Sequence, residues 1–407
     1  MTPNELDAAD PLALFRDRFA LPQGVVYLDG NSLGPLPKAT EARVLETVRR
    51  EWGEGLITSW NDADWVRMPQ RIGDKIARLI GAKPGEVVAC DSTSVNVFKA
   101  LCAALALNPE RNVILSESGN FPTDIYVMQG IEALTGRQVR AQKVRPDEIE
   151  GAIDDSVAAV LLTQVHYKTG KMRDMARVTK LAQDRGALMI WDLSHSAGAI
   201  PVDLTAANAD FAVGCGYKYL NGGPGAPGFL FVAERHQNAV TPALTGWFGH
   251  AAPFAFEDRY EPAQGIARFL VGTPPVLGMA ALEVGVDLFL EADMALVRAK
   301  SISLSELFIE RMEPLAGRWG FTLASPADPA ERGSQVSYRH PEGYAIMQAL
   351  IARGVIGDFR APDILRFGFT PLYTTHAEVA AAVDHIDAVM AAGEWERAEY
   401  KVRSAVT

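Results

Sequence analysis

Ala187-Leu188-Met189-Ile190-Trp191-Asp192-Leu193-Ser194-His195 runs apolar until it reaches an aspartate, and Phe211-Ala212-Val213-Gly214-Cys215-Gly216-Tyr217-Lys218-Tyr219 runs apolar until it reaches a lysine among glycine and tyrosines. Either run alone is ordinary: a carboxylate after a buried strand commonly caps a loop or helix, and a lysine between tyrosines is commonly solvated. The conjunction is less ordinary, because His195 follows Asp192 by three residues and Asn221-Gly222-Gly223-Pro224-Gly225 follows Lys218. It is the arrangement pyridoxal 5'-phosphate requires. The lysine amine bonds the cofactor aldehyde, and the aspartate keeps the pyridine nitrogen protonated so that the ring can accept electrons.

Working outward, short apolar runs without polar alternation occur at residues 86–89, 112–116, 157–162, 187–191, 211–213 and 229–232, separated by stretches long enough for crossover helices. Such runs predict strands covered on both faces, hence a largely parallel sheet in an α/β domain over residues 56–275, with its site at the strand ends. Residues 276–316 turn helical, with apolar residues at three- and four-residue spacing, and form linking helices. The tail predicts strands at 335–338 and 364–368 and helices from 344 and after 375, where Thr375 and Glu378 form a capping box. Residues 317–407 thus make a small α+β domain, with residues 1–55 as an N-terminal arm packing against it.

Composition narrows the function. A net charge of −11 disfavours nucleic acid and anionic membranes as partners. The polar, acidic start Met1-Thr2-Pro3-Asn4-Glu5 lacks the blocks of a signal peptide, and no apolar run reaches transmembrane length. Three unpaired cysteines, Cys90, Cys102 and Cys215, suit a reducing cytoplasm, and the scattered histidines offer no metal-binding spacing.

A phosphate cup is expected where Asp91-Ser92-Thr93-Ser94-Val95 follows a strand and opens a helix. Thr93 and Ser94 are the candidates, although simple N-capping explains the same residues. Phe121-Pro122-Thr123-Asp124 reads as a turn whose aromatic face covers a ring and whose Asp124 supports its electrostatics, or as no more than a proline turn.

These segments together resemble kynureninase, a fold-type I pyridoxal phosphate family. The resemblance extends over essentially the whole length and adds Tyr27-Leu28-Asp29-Gly30-Asn31-Ser32-Leu33-Gly34-Pro35, His166-Tyr167-Lys168-Thr169-Gly170 and Gly246-Trp247-Phe248-Gly249-His250. It implies Lys218 as the cofactor lysine, Asp192 as the ring-nitrogen partner, and Tyr217 at the phosphate and as a catalytic proton relay. Thr93, Ser94, Phe121, Pro122, Thr123, Asp124, Thr163, His195, Trp247 and Thr273 are implied as further cofactor contacts. Arg366 is implied as the grip on the substrate α-carboxylate, where a planar fork suits a carboxylate, with Asn31 and Trp60 also on the substrate.

Animal members carry a histidine and an asparagine where this chain has Trp60 and Thr273, so the chain resembles the bacterial form, which favours the unsubstituted substrate. The implied reaction is hydrolysis of L-kynurenine to anthranilate and L-alanine in tryptophan catabolism and the kynurenine route to NAD. The implied assembly is a homodimer with shared sites.

Rival readings are weaker. A cysteine desulfurase needs a mobile cysteine in the C-terminal part, and none follows Cys215; an amino-acid decarboxylase of group II ordinarily has histidine where Tyr217 stands. A non-catalytic scaffold of this fold would have lost a reacting residue or gained a binding module.

Overall fold

Apolar segments bounded by turn residues become strands in the computed structural model, which describes residues 1–403. The large sheet contains β1 (Val87–Cys90), β2 (Val113–Glu117), β3 (Arg140–Val144), β4 (Val157–Thr163), β5 (Leu188–Asp192), β6 (Phe211–Cys215) and β7 (Gly228–Val232) in the spatial order β1-β7-β6-β5-β4-β2-β3. All neighbours are parallel except β7, which runs antiparallel to both β1 and β6.

Alternate residues of each strand enter opposite cores. Val87, Leu115 and Trp191 pack on one face, and Val88, Ile114 and Ile190 on the other. Covering both faces explains why these strands read as unbroken apolar runs. Strand β3 was not expected from the sequence. It is the sheet edge, its Arg140 and Lys143 are exposed, and such charges blunt an edge against pairing while erasing the apolar signal.

Helices α1 (Met68–Leu79), α2 (Thr93–Leu107), α3 (Pro122–Leu134) and α4 (Met175–Asp184) flank this sheet. The predicted turn at Phe121–Asp124 is instead the first turn of α3. Pro122 occupies the opening position, where its missing N–H costs nothing, and Phe121 is the residue before it. Two linking helices follow, α5 (Val276–Glu291) and α6 (Met294–Trp319), with Asp293 capping the second through Ala295 N.

Beyond α6 lies a four-stranded antiparallel sheet of β8 (Thr322–Leu323), β9 (Gln335–Arg339), β10 (Asp358–Arg360) and β11 (Ile364–Gly368), in the order β10-β11-β9-β8. Helices α7 (Gly343–Ala352) and α8 (His376–Ala392) accompany it, and Thr375 with Glu378 forms the expected capping box on α8. These elements share a third apolar core that includes Phe308, Val336, Leu365 and Ile386.

The N-terminal segment touches both bodies. Val26–Tyr27 pairs in parallel with Val355–Ile356, and Arg16 binds Glu378, whereas Leu12 and Phe19 belong to the core of the large sheet. No helix among the described residues is long and apolar enough to cross a membrane.

Candidate active site

Three adjacent parallel strands end together. Thr163 closes β4 and pairs in register with Asp192, which closes β5 and pairs with Val213 of β6. The chain leaves β6 through Gly216 and reaches Lys218, so the hydroxyl, the carboxylate and the amine all gather beyond the strand carboxyl ends. The loop after Lys218 is tight: Asn221 N donates to Lys218 O at 3.0 Å and Gly222 N to Gly216 O at 2.8 Å. Helix α5 presses on this loop at Gly285, where a Cβ would stand 2.0 Å from the Leu220 carbonyl oxygen.

These residues enclose a cavity of about 240 Å³, lined by Ser92, Thr93, Ser94, Phe121, Thr123, Asp124, Thr163, Tyr167, Asp192, Ser194, His195, Tyr217 and Lys218. Lys218 is buried, with Nζ 3.2 Å from His195 Nε2 and 5.6 Å from the centre of the Phe121 ring. His195 Nδ1 lies 3.0 Å from Gln335 Oε1, and Gln335 Nε2 donates to the Tyr167 carbonyl at 2.9 Å. Burial, then the charge of Lys218, holds the imidazole well below the usual histidine range, which keeps it neutral.

The two carboxylates are also buried. Burial raises Asp192, opposed by a hydrogen bond from Ser194 N at 2.8 Å and by the charge of Lys218. Burial raises Asp124 further, with Asp192 adding repulsion. Asn120 Nδ2 donates to Asp124 Oδ2 at 3.2 Å, but Asp124 Oδ1 and Thr163 Oγ1 are buried without any partner. Burial pushes the Tyr217 hydroxyl up to about 12, so it is a donor at neutral pH.

At the other end of the cavity, Ser92 caps α2 through Val95 N, and Thr93 and Ser94 stand in the first turn with its free amides. The N-cap is Ser92, so Thr93 and Ser94 line the cavity without serving as the cap. Asp91 holds a positive φ of 47° and forms an ion pair with buried Lys99, which also donates to Phe269 O at 2.6 Å.

Arg366 is buried, and its Nε donates to Asp358 Oδ1 at 2.8 Å, while Nη2 engages Asp358 Oδ2 and Ser32 Oγ. Its Nη1 donates to the Tyr167 carbonyl at 2.6 Å. These bonds account for every guanidinium N–H except the second on Nη1. The fork edge expected to grip a substrate in two-point fashion is thus already held by Asp358, and Arg366 offers a carboxylate a single point. Arg360 shares Asp358, at 2.6 Å. Asn31 is fully buried with Nδ2 3.5 Å from Gln335 Oε1, and its Oδ1 has no partner. Burial, then Asp358, pushes nearby Asp29 up to about 7.

Trp60, Trp247 and Thr273 do not line the Lys218 cavity, and neither do Arg366 and Asn31, which are buried behind it through Tyr167 and Gln335. Trp60 and Trp247 meet edge to face at 6.2 Å and gather Phe248 and Phe254, and Thr273 is exposed on the loop before α5. Pro122 shapes the start of α3 without lining the cavity.

The sequence reading missed Tyr167, Ser194, Gln335, Ser32 and Asp358 as site residues. Tyr167 lies within His166-Tyr167-Lys168-Thr169-Gly170, and Ser194 between Asp192 and His195. Gln335 and Asp358 carry no local signal, because they arrive from the small sheet.

The donor set fits pyridoxal phosphate on two observations: Asp124 Oδ1 and Thr163 Oγ1 are buried and unpartnered where polar ligand atoms would satisfy them, and a helix N-terminus opens into the same cavity as the amine.

The sequence is 52% identical to the kynureninase of Pseudomonas fluorescens, over 99% of this chain and 98% of the relative. The chain belongs to the kynureninase family. The kynureninase of Burkholderia pseudomallei is 50% identical over the same shares. The kynureninase C-terminal domain family matches residues 297–386, and the DegT/DnrJ/EryC1/StrS aminotransferase family matches residues 61–209.

Among solved structures, the apo cysteine desulfurase of Thermococcus onnurineus NA1 aligns with a TM-score of 0.78 at 18% identity, covering 93% of this chain and 98% of that one. The cysteine desulfurase CsdA of Escherichia coli aligns with 0.77 at 21% identity, covering 94% and 98%. At these identities the likeness is one of fold, and it places the kynureninase family chain on the fold-type I architecture expected from its sequence.

Proposed function

We propose that this chain is a pyridoxal phosphate-dependent hydrolase that cleaves the carbon–carbon bond of L-kynurenine to give anthranilate and L-alanine, a step of tryptophan catabolism. The observation that carries the reading is the buried Lys218 amine sharing one cavity with the Asp192 carboxylate and the unpartnered Thr163 and Asp124 oxygens, in a chain of the kynureninase family. Pyridoxal phosphate, when bound, supplies the electron sink that makes such a bond breakable.

The residues divide the remaining work. Lys218 Nζ would hold the cofactor and, once displaced, move the substrate Cα proton. Asp192 would keep the pyridine nitrogen protonated, as an opposite charge in a buried site does. Thr93 and Ser94 would hold the phosphate at the α2 N-terminus, with Tyr217 donating from its hydroxyl. Phe121 would cover the ring, with Thr123 beside it. Arg366 would fix the substrate carboxylate through its remaining Nη1 proton, with Asn31 also on the substrate.

The cysteine desulfurase reading has only fold-level support, and no cysteine follows Cys215. We further read the protein as a cytoplasmic homodimer, divided into an arm (1–55), a large domain (56–275), linking helices (276–316) and a small domain (317–407). Purified protein supplied with pyridoxal phosphate and L-kynurenine should produce anthranilate, followed by its fluorescence; absence of anthranilate from cofactor-loaded protein would overturn the reading.

A ring preference follows from Trp60 and Thr273, if a partner subunit brings them to the aryl end. Packing against an added hydroxyl discriminates by roughly ten- to a hundredfold. The kcat/KM for L-kynurenine should exceed that for 3-hydroxy-L-kynurenine by this factor, and equal values would contradict the assignment.

A further inference from the structure

The direction of the hydrogen-bond chain through Gln335 is decided at its far end. The Tyr167 carbonyl oxygen lies 2.9 Å from Gln335 Nε2. A carbonyl only accepts, so the amide NH2 must occupy that end. The amide oxygen is then presented to His195 Nδ1, 3.0 Å away. An amide oxygen also only accepts, so Nδ1 must carry the imidazole proton. The opposite flip would set two carbonyl oxygens against each other in a buried place, at a cost of about 1–3 kcal/mol for each unsatisfied group.

We propose that Gln335 is a positioning residue that, anchored on the Tyr167 carbonyl, holds His195 as its Nδ1–H tautomer and aims the Nε2 lone pair at Lys218 Nζ, 3.2 Å away. Burial keeps the imidazole neutral, so Nε2 stays bare. In the other tautomer an Nε2–H would confront the protonated amine, which has no lone pair to accept it. Lys218 must give up and regain a proton during turnover, and a fixed acceptor beside Nζ orients the amine for both events. Gln335 reaches the site from β9 of the small sheet, so this orientation depends on the two sheets being docked.

The proposal rests on the Lys218 cavity being the reaction site, and the experiment separates the two claims. Protein labelled with 15N-histidine is examined by two-bond 1H–15N correlation near neutral pH, apo and loaded with pyridoxal phosphate, with His195 assigned among the seven histidines from a His195→Asn spectrum. The wild type should show Nδ1 protonated and Nε2 bare. Gln335→Leu should shift the imidazole to a mixture of tautomers or to Nε2–H, with kcat lowered on the order of tenfold and KM little changed. Gln335→Glu should keep the proton at Nδ1 and raise the imidazole pKa.

A wild-type Nε2–H tautomer, or an unmixed Nδ1–H in Gln335→Leu, would overturn the proposal. Should the leucine variant not fold, an unshifted His195 titration in Gln335→Glu would do the same. Borohydride mapping of the pyridoxyl group tests the site itself: a label away from Lys218 rejects the cofactor reading whatever the tautomer.

Discussion

Thr163 shows how a single unpartnered atom separates stability from binding. Its Oγ1 has no hydrogen-bond partner in the protein although it lines the Lys218 cavity, so no bond of the fold depends on it. Thr163→Val should leave cofactor-free stability unchanged or raise it by up to about 1 kcal/mol, while weakening pyridoxal phosphate binding roughly tenfold. Thermal melts of the apo protein and a cofactor titration read the two effects, and a destabilised apo variant would assign the hydroxyl to the fold. Lys218 is tested by chemistry: borohydride reduction and peptide mapping should place the pyridoxyl group on Lys218, and finding it on Lys168 or Lys171 would reject the assignment. Lys218 and Asp192 were legible because each terminates an apolar run. The occupied fork of Arg366 was not, since its partner Asp358 lies on a neighbouring strand whose three residues give no periodic signal.

Elements meet the site through close contacts, and Gly285 of α5 makes one of the tightest against backbone. A Cβ there would fall 2.0 Å from Leu220 O and 3.0 Å from Asn221 C, so the helix must move away from the loop that carries Lys218. Gly285→Ala should cost about 1–3 kcal/mol despite the better helix propensity of alanine, and should lower cofactor affinity. Gly317→Ala on α6 is the control: nothing lies within 4 Å of its Cβ, and the variant should gain roughly 0.5–1 kcal/mol. Denaturant unfolding of both variants should show the opposite signs; two stabilised proteins would mean that α5 is not clamped against the loop. Six of the seven sheet strands were visible as apolar runs. The seventh, β3, was hidden by the charges an edge strand carries.

At the scale of the whole molecule, the aromatic group around Trp247 stands apart from the Lys218 cavity. Phe254 and Phe256 of this group are 53% and 75% exposed, and Thr273 is also at the surface. Trp247 and Thr273, which the sequence resemblance implies as cofactor contacts, lie outside the cavity of their own chain, and service to a second copy would account for both. Lys218→Ala and Trp247→Ala, each inactive alone, should regain activity when mixed under subunit exchange, because a mixed dimer then holds one site with both defects and one with neither. Loss of activity in both variants without recovery after demonstrated exchange would reject the shared site.

What the sequence by itself determined is local. Apolar runs, caps and a lysine–glycine loop depend on neighbours within a few residues, and they were enough to specify the parallel sheet and to single out Lys218 and Asp192, which line one cavity. What only the tertiary structure decided is the state of those groups. Gln335 and His195 are 140 positions apart, and Arg366 reaches Tyr167 across 199. No periodicity spans such distances. Contacts of this kind exist only after the small sheet docks on the large one, and through them burial and hydrogen-bond direction set the proton positions around Lys218.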